Sequence, residues 1–274
     1  MNFVHPQRAL VICATPRSGS TLLCELLKGT GVAGRPEEYF EARRETGLPP
    51  HPGDFLAGLP RTGVGIRDDA TPPHAPEYSS LVGLKSYREH LARTLRLGTT
   101  ANGVFATKLM WTHLPELCAL AGELPELPAD DPEQLLRALL GEPSWVWVTR
   151  DDKVRQAVSL WRALQTRAWR REHPSTEPDL HYRFDGIDHL VGRLVREDRE
   201  WQAFFAQRRI DVLQVVYERD LVERREQTVH SVLAHLGVVA PGDWHAPVRM
   251  LQQADELSDD WVAAYHRDAG ARVS

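Results

Sequence analysis

The chain has 274 residues, of which 42% are hydrophobic and 26% charged, ample apolar content for one large α/β domain or two small ones. A formal net charge of −5 excludes a broad nucleic-acid-binding surface and leaves any anion binding to a local arginine cluster. No apolar run reaches the length of a membrane span, and the first residues, MNFVHPQRALVIC, do not form a basic region followed by a secretory apolar core.

The first predicted element is a strand at Leu10–Cys13, a short apolar run of the kind covered on both faces. Thr15-Pro16-Arg17-Ser18-Gly19-Ser20-Thr21 then forms a turn, and Leu22, Leu23, Leu26 and Leu27 take helical spacing. Backbone N–H groups at such a helix start have no intrahelical acceptor, and the helix dipole favours an anion there. Gly19 lets the backbone approach closely, Arg17 adds charge, and Ser18, Ser20 and Thr21 add donors, so the stretch reads as a phosphate cradle. It departs from the nucleotidase pattern GxxxxGK[ST], because Ala14 replaces the first Gly and Ser20 stands in the Lys position. That departure argues against γ-phosphoryl transfer from a magnesium nucleotide. A strand-to-helix turn that binds nothing is the competing explanation.

Gly47–Pro76 is rich in Pro and Gly and reads as a long functional loop. A helix is expected over Leu84–Leu97 and a strand over Val104–Met110, after the Asn102-Gly103 turn. Asp131 is the expected N-cap of a helix with Pro132 in its first turn, Gln134 in the capping-box position and Gly141 as its stop. Trp145–Thr149 is a third apolar strand and Val154–Arg170 the next helix. A long amphipathic helix at Phe184–Gln207, a strand at Val212–Tyr217 and a helix at Leu221–Leu236 complete the series. Alternation of this kind implies an α/β fold, a single domain over 1–274 with a mainly parallel central sheet flanked by helices. Ligands on such sheets sit beyond the carboxyl ends of the strands, where Arg17, Lys108 and Arg150 all fall.

Five segments together resemble the PAPS-dependent sulfotransferases, in particular their bacterial carbohydrate branch; PAPS is 3'-phosphoadenosine 5'-phosphosulfate. They are PRSGSTLL at Pro16–Leu23, GVAGRPEEYF at Gly31–Phe40, NGVFATKLMW at Asn102–Trp111, RQAVSLWRALQTRAWR at Arg155–Arg170 and QADELSDDW at Gln253–Trp261. The resemblance implies the P-loop-like sulfotransferase fold and transfer of the PAPS sulfuryl group to a hydroxyl of a trehalose-like carbohydrate or glycosylated metabolite. It implies Glu38 as general base, Arg17 through Thr21 at the 5'-phosphosulfate, and Arg150 with Ser159 at the 3'-phosphate. By themselves, Glu37 and Glu38 read as a solvated acidic pair before a helix, and Ser159 as a hydroxyl turned to its own helix.

Lys108 either faces the sulfuryl group or acceptor or snorkels from the sheet edge. Tyr39 and Trp111 offer flat faces to a sugar, as do Phe40, Trp161 and Trp169, although Trp161 has the spacing of a core residue. Gln252 stands where the resembled pattern has an Arg, which bears on the acceptor. Acceptor choice is expected in Gly47–Pro76 and around Ala168–Asp185. Cys13, Cys24 and Cys118 lack metal-ligand spacing; Cys13 and Cys24 read as reduced core residues, and His51, His74 and His113 as loop or surface groups. No metal is expected, the setting is expected to be cytoplasmic, and a homodimer follows from the resemblance alone. A small-molecule kinase and a non-catalytic nucleotide-binding protein are the alternatives.

Overall fold

A computed structural model describes residues 5–43, 52–59, 84, 86–166, 180–247 and 256–273. Its sheet has four parallel strands in the order β2-β1-β3-β4, with β1 at Arg8–Ala14, β2 at Val104–Met110, β3 at Ser144–Thr149 and β4 at Val212–Val216. The chain leaves β1 for a neighbour on one side and then places β3 on the other. Such a reversal opens a crevice at the carboxyl ends of the strands. The register aligns Ala14 with both Met110 and Val148, and Thr149 with Val216. The segments after Ala14, Met110, Thr149 and Val216 therefore emerge at one end of the sheet.

Alternating side chains sort the strands into two cores. Val11, Cys13, Phe105, Leu109, Trp145 and Trp147 pack on α2 (Tyr87–Gly98), α3 (Leu114–Ala121), α4 (Pro132–Leu140) and the end of α6 (Phe184–Arg208). Leu10, Ile12, Ala106, Val146, Val148 and Val215 face α1 (Ser20–Thr30) and α7 (Arg225–His235). A third cluster joins α5 (Lys153–Thr166), α6 and α8 (Glu256–Val273), with Trp161 buried at its centre. Cys13 and Cys24 are buried free thiols. Among the described residues no helix is long and apolar enough to cross a membrane.

Several boundaries differ from those expected. The helix predicted from Leu84 begins at Tyr87, because the Ser86 side chain accepts from the Glu89 amide and caps it there. The strand predicted to Tyr217 ends at Val216, and the helix predicted from Leu221 begins at Arg225. Between them Tyr217–Val222 forms a π-helical turn, fixed by the Asp220 carboxylate accepting from the Val216 amide at 2.7 Å. Helices α3 and α8 had no counterpart in the prediction. The cap at Asp131 is as expected, accepting from the amides of Glu133 and Gln134. Of the Pro/Gly-rich loop only 52–59 is described, with a 3-10 turn at Pro52–Leu56. His51, His74, Trp169, Arg170, Gln252 and most of Ala168–Asp185 lie outside the described residues.

Candidate active site

The turn after β1 is built on two left-handed residues, Arg17 at φ 62° and Gly19 at φ 92°. A β-carbon on Gly19 would lie 2.3 Å from the Tyr217 ring, so both the backbone conformation and the close packing require glycine. The turn delivers Ser20 and Thr21 to the first turn of α1, whose amides point toward the crevice. Ser18 Oγ is buried and has no hydrogen-bond partner among the described residues. A buried hydroxyl without a partner, beside a cradle that admits no β-carbon, fits an anionic ligand.

Three guanidiniums converge on this turn. Arg17 donates through Nε to Ser159 Oγ at 3.0 Å. Burial first, then the neighbouring charges of Arg150 and Arg162, lower its pKa to about 10, which leaves it cationic at neutral pH. Arg150 follows β3, lies over the Tyr217 ring at 4.7 Å and donates through Nε to Glu218 Oε1 at 3.1 Å. Arg162 reaches Ser258 Oγ on α8 at 2.5 Å. The Arg150 charge is thus close enough to act on Arg17, and the hydroxyl paired in prediction with Arg150 is bonded to Arg17.

Behind the cradle lies a polar network that sequence reasoning missed. Gln156 donates to Thr15 Oγ1 at 3.0 Å and to the Pro16 carbonyl at 2.7 Å. The Asp198 carboxylate accepts from Thr15 at 3.3 Å and Thr149 at 2.6 Å, and pairs with Lys153 at 2.5 Å. Trp201 Nε1 donates to the Ala14 carbonyl at 3.0 Å. An acid at position 198 interrupts the apolar series Leu190, Leu194, Trp201, Phe205, and that interruption was the available signal.

Glu38 reaches the same end of the sheet by another route. Gly34, at φ 77°, passes so close to β2 that a β-carbon would meet the Ala106 amide nitrogen at 2.5 Å. Beyond it the chain pairs with β2: the Lys108 amide donates to the Glu37 carbonyl at 2.9 Å. This parts the two acids. Glu37 pairs with Lys28 on α1, whereas Glu38 Oε1 lies 2.5 Å from Lys108 Nζ, which also donates to Thr21 Oγ1 at 3.1 Å. Burial would raise the Glu38 carboxyl, but the Lys108 ammonium, helped by His113, outweighs it and holds the pKa at about 2.

His113 is buried rather than on a loop surface, with Nε2 3.9 Å from Glu38 Oε2. The Met110 amide donates to its Nδ1 at 3.2 Å, so the proton of the neutral ring is on Nε2. Burial, with Lys108 adding to it, lowers this imidazole to about 4. Glu38, Glu41 and His113 approach within 4.8 Å as a possible ligand set. His113 nevertheless turns a proton, not a lone pair, toward the carboxylate, and the Lys108 ammonium balances its charge.

Of the predicted sugar-facing aromatics, Tyr39 is taken up by packing and Trp111 stays half-buried. Tyr39 is 2% exposed and its hydroxyl donates back to the Arg35 carbonyl at 2.8 Å. Trp111 packs edge-on against Trp201, with ring centroids 5.1 Å apart. A cavity of about 270 Å³ beside His113, lined also by Phe40, Arg43, Asp54, Phe55 and Arg193, offers the polar and aromatic groups instead. A larger hollow of about 520 Å³ lies between the end of α6 and the start of β4, at the opposite end of the sheet from the cradle.

The description of the Stf0 sulphotransferase family matches residues 9–268. The trehalose 2-sulfotransferase of Mycobacterium tuberculosis (strain Erdman) is 37% identical over 266 residues, 96% of each chain. That of Mycolicibacterium smegmatis is 35% identical over 271 residues, 97% of this chain and 96% of the relative. A match of this extent, on a parallel α/β sheet that carries an anion cradle at its carboxyl end, establishes that the chain is a sulfotransferase and belongs to the Stf0 family.

Proposed function

We propose that this enzyme moves the sulfuryl group of PAPS to a hydroxyl of a carbohydrate, trehalose or a sugar like it, with Glu38 as general base. The observation that carries the reading is the line Glu38–Lys108–Thr21, which sets a carboxylate one lysine away from the anion cradle. PAPS supplies an activated sulfuryl group on a 5'-phosphate. Arg17, the unpartnered Ser18 Oγ, and the amides and hydroxyls of Gly19, Ser20 and Thr21 hold that phosphate and offset the charge it gains. Arg150 holds the 3'-phosphate, joined by Ser159, whose oxygen accepts from Arg17 while its own proton is left to donate.

The acceptor occupies the cavity beside His113, where aromatic walls and the Arg43, Asp54 and Arg193 side chains suit a polyhydroxylated ring. As the hydroxyl oxygen bonds to sulfur, the bond from sulfur to the phosphate oxygen breaks and the hydroxyl proton passes to Glu38. A carboxylate this acidic takes the proton only once the oxygen has begun to bond and its proton has itself become acidic. The side chain retains 20% exposure, enough for the acceptor to reach it. The family likeness further supports one catalytic domain over 1–274 and a homodimer; the proposed setting is cytoplasmic, with no metal in the scheme.

Glu38→Gln, assayed with labelled PAPS and trehalose and read by product mass, is expected to lower kcat by about 10²–10⁴-fold. Binding of adenosine 3',5'-bisphosphate should stay within about twofold, since the carboxylate lies outside the cradle. Unchanged turnover would remove Glu38 from the reaction.

A further inference from the structure

We propose that Glu218 is a positioning residue for the donor's 3'-phosphate: it fixes the guanidinium of Arg150 so that its two terminal amino groups face the ligand. The proposal rests on the reading of Arg150 given above. One Glu218 oxygen accepts from Arg150 Nε at 3.1 Å and from the Asp152 amide at 3.4 Å. The other accepts from the Asp151 amide at 3.0 Å. A single carboxylate therefore fastens the Arg150 side chain to the backbone turn that leads into α5.

The geometry decides which edge of Arg150 is offered. A guanidinium has five N–H donors in a plane, and its outer edge, formed by the two amino groups, matches phosphate bidentately. Glu218 engages the Nε side and the Tyr217 ring lies against one face at 4.7 Å, so the outer edge is the part left for an anion. Charge points the same way. Arg150 shares its end of the sheet with Arg17 and Arg162, and three like charges repel unless something holds them. Glu218 offsets that repulsion at the Nε side of Arg150, and its place on the π-helical turn, where the Asp220 carboxylate accepts from the Val216 amide, gives the carboxylate a rigid base. Without it, Arg150 would regain rotamer freedom and move away from the other cations.

The test is calorimetric titration of adenosine 3',5'-bisphosphate and adenosine 5'-monophosphate into wild type, Glu218→Ala, Glu218→Gln, Arg150→Ala and the R150A/E218A double variant. Melting temperatures confirm that each is folded. Glu218→Ala is expected to weaken the bisphosphate by about tenfold and the monophosphate by less than about twofold. Glu218→Gln, which keeps one accepting oxygen, should fall between wild type and Glu218→Ala. The double variant should bind the bisphosphate no more weakly than Arg150→Ala alone, because the carboxylate acts only through that arginine. Equal losses on both ligands, additive losses in the double variant, or tighter bisphosphate binding by Glu218→Ala would each overturn the proposal; the last would make the carboxylate a competitor of the phosphate. Arg150→Ala reports separately on the underlying reading. If it weakens both ligands equally, Arg150 does not serve the 3'-phosphate and the role of Glu218 falls with it.

Discussion

Lys108 is only 2% exposed, on a strand whose other residues are all buried, and its ammonium is compensated on one side by Glu38 and on the other by the Thr21 hydroxyl. Removing the cation while keeping much of the volume, as in Lys108→Met, leaves Glu38 with its burial and without its main partner. Its pKa must then rise, and the acid limb of kcat/KM should move up by about 1 pH unit or more. A pH–rate profile with an unmoved limb would show that Glu38 does not carry the proton. The same pair shows what single residues disclose in a sequence. Nothing in Glu37-Glu38 tells the two acids apart; only the family resemblance chose Glu38. The physical difference is the pairing of residue 37 with β2, which turns one carboxylate to α1 and the next to the crevice.

At the scale of elements, β1 and β3 were legible because a strand buried on both faces is a short apolar run, whereas β2, interrupted by Thr107 and Lys108, was marked by the Asn102-Gly103 turn before it. Helices α3 and α8 were not. The first is eight residues long and the second has a weak apolar stripe, so neither shows a clear period. The π-helical turn was invisible because a side chain, Asp220, caps the strand end and no sequence period records that. The network behind the cradle escaped for a related reason: its members lie on β1, β3, α5 and α6 and meet only in the fold. Asp198→Asn tests how far that network holds the cradle. The amide cannot balance Lys153, and unfolding free energy measured in urea should drop by roughly 1–3 kcal/mol. Affinity for adenosine 3',5'-bisphosphate should fall with it, because Thr15 loses its anchor. Full stability with weakened binding would instead place Asp198 in direct service of the ligand.

For the whole molecule, pH acts first through two buried imidazoles. His90, which bonds the Tyr39 carbonyl at 3.0 Å, and His113 are both lowered to about 4, in each case chiefly by burial. In the unfolded chain they titrate near the ordinary value, about 6.5. Between those limits the unfolded chain binds more protons, so their stabilisation is complete above about pH 6.5 and is lost as pH falls toward 4. Glu38 adds a further loss below its own unfolded value. Urea midpoints should therefore drop between pH 7 and pH 5, with a smaller drop in a variant carrying Gln at positions 90 and 113; identical slopes would refute the assignment.

The segment that presents Glu38 also has a second consequence for the molecule. β2 is the outermost described strand on its side of the sheet, and the Glu37 carbonyl together with the Gly34 backbone lies along its free margin. The stretch that carries Glu38, the proposed base, is thus the same stretch that shields this β-margin from pairing with another molecule. Unfastening it would disarm the enzyme and expose a template for self-association at once, so loss of turnover and loss of solubility would share a single cause.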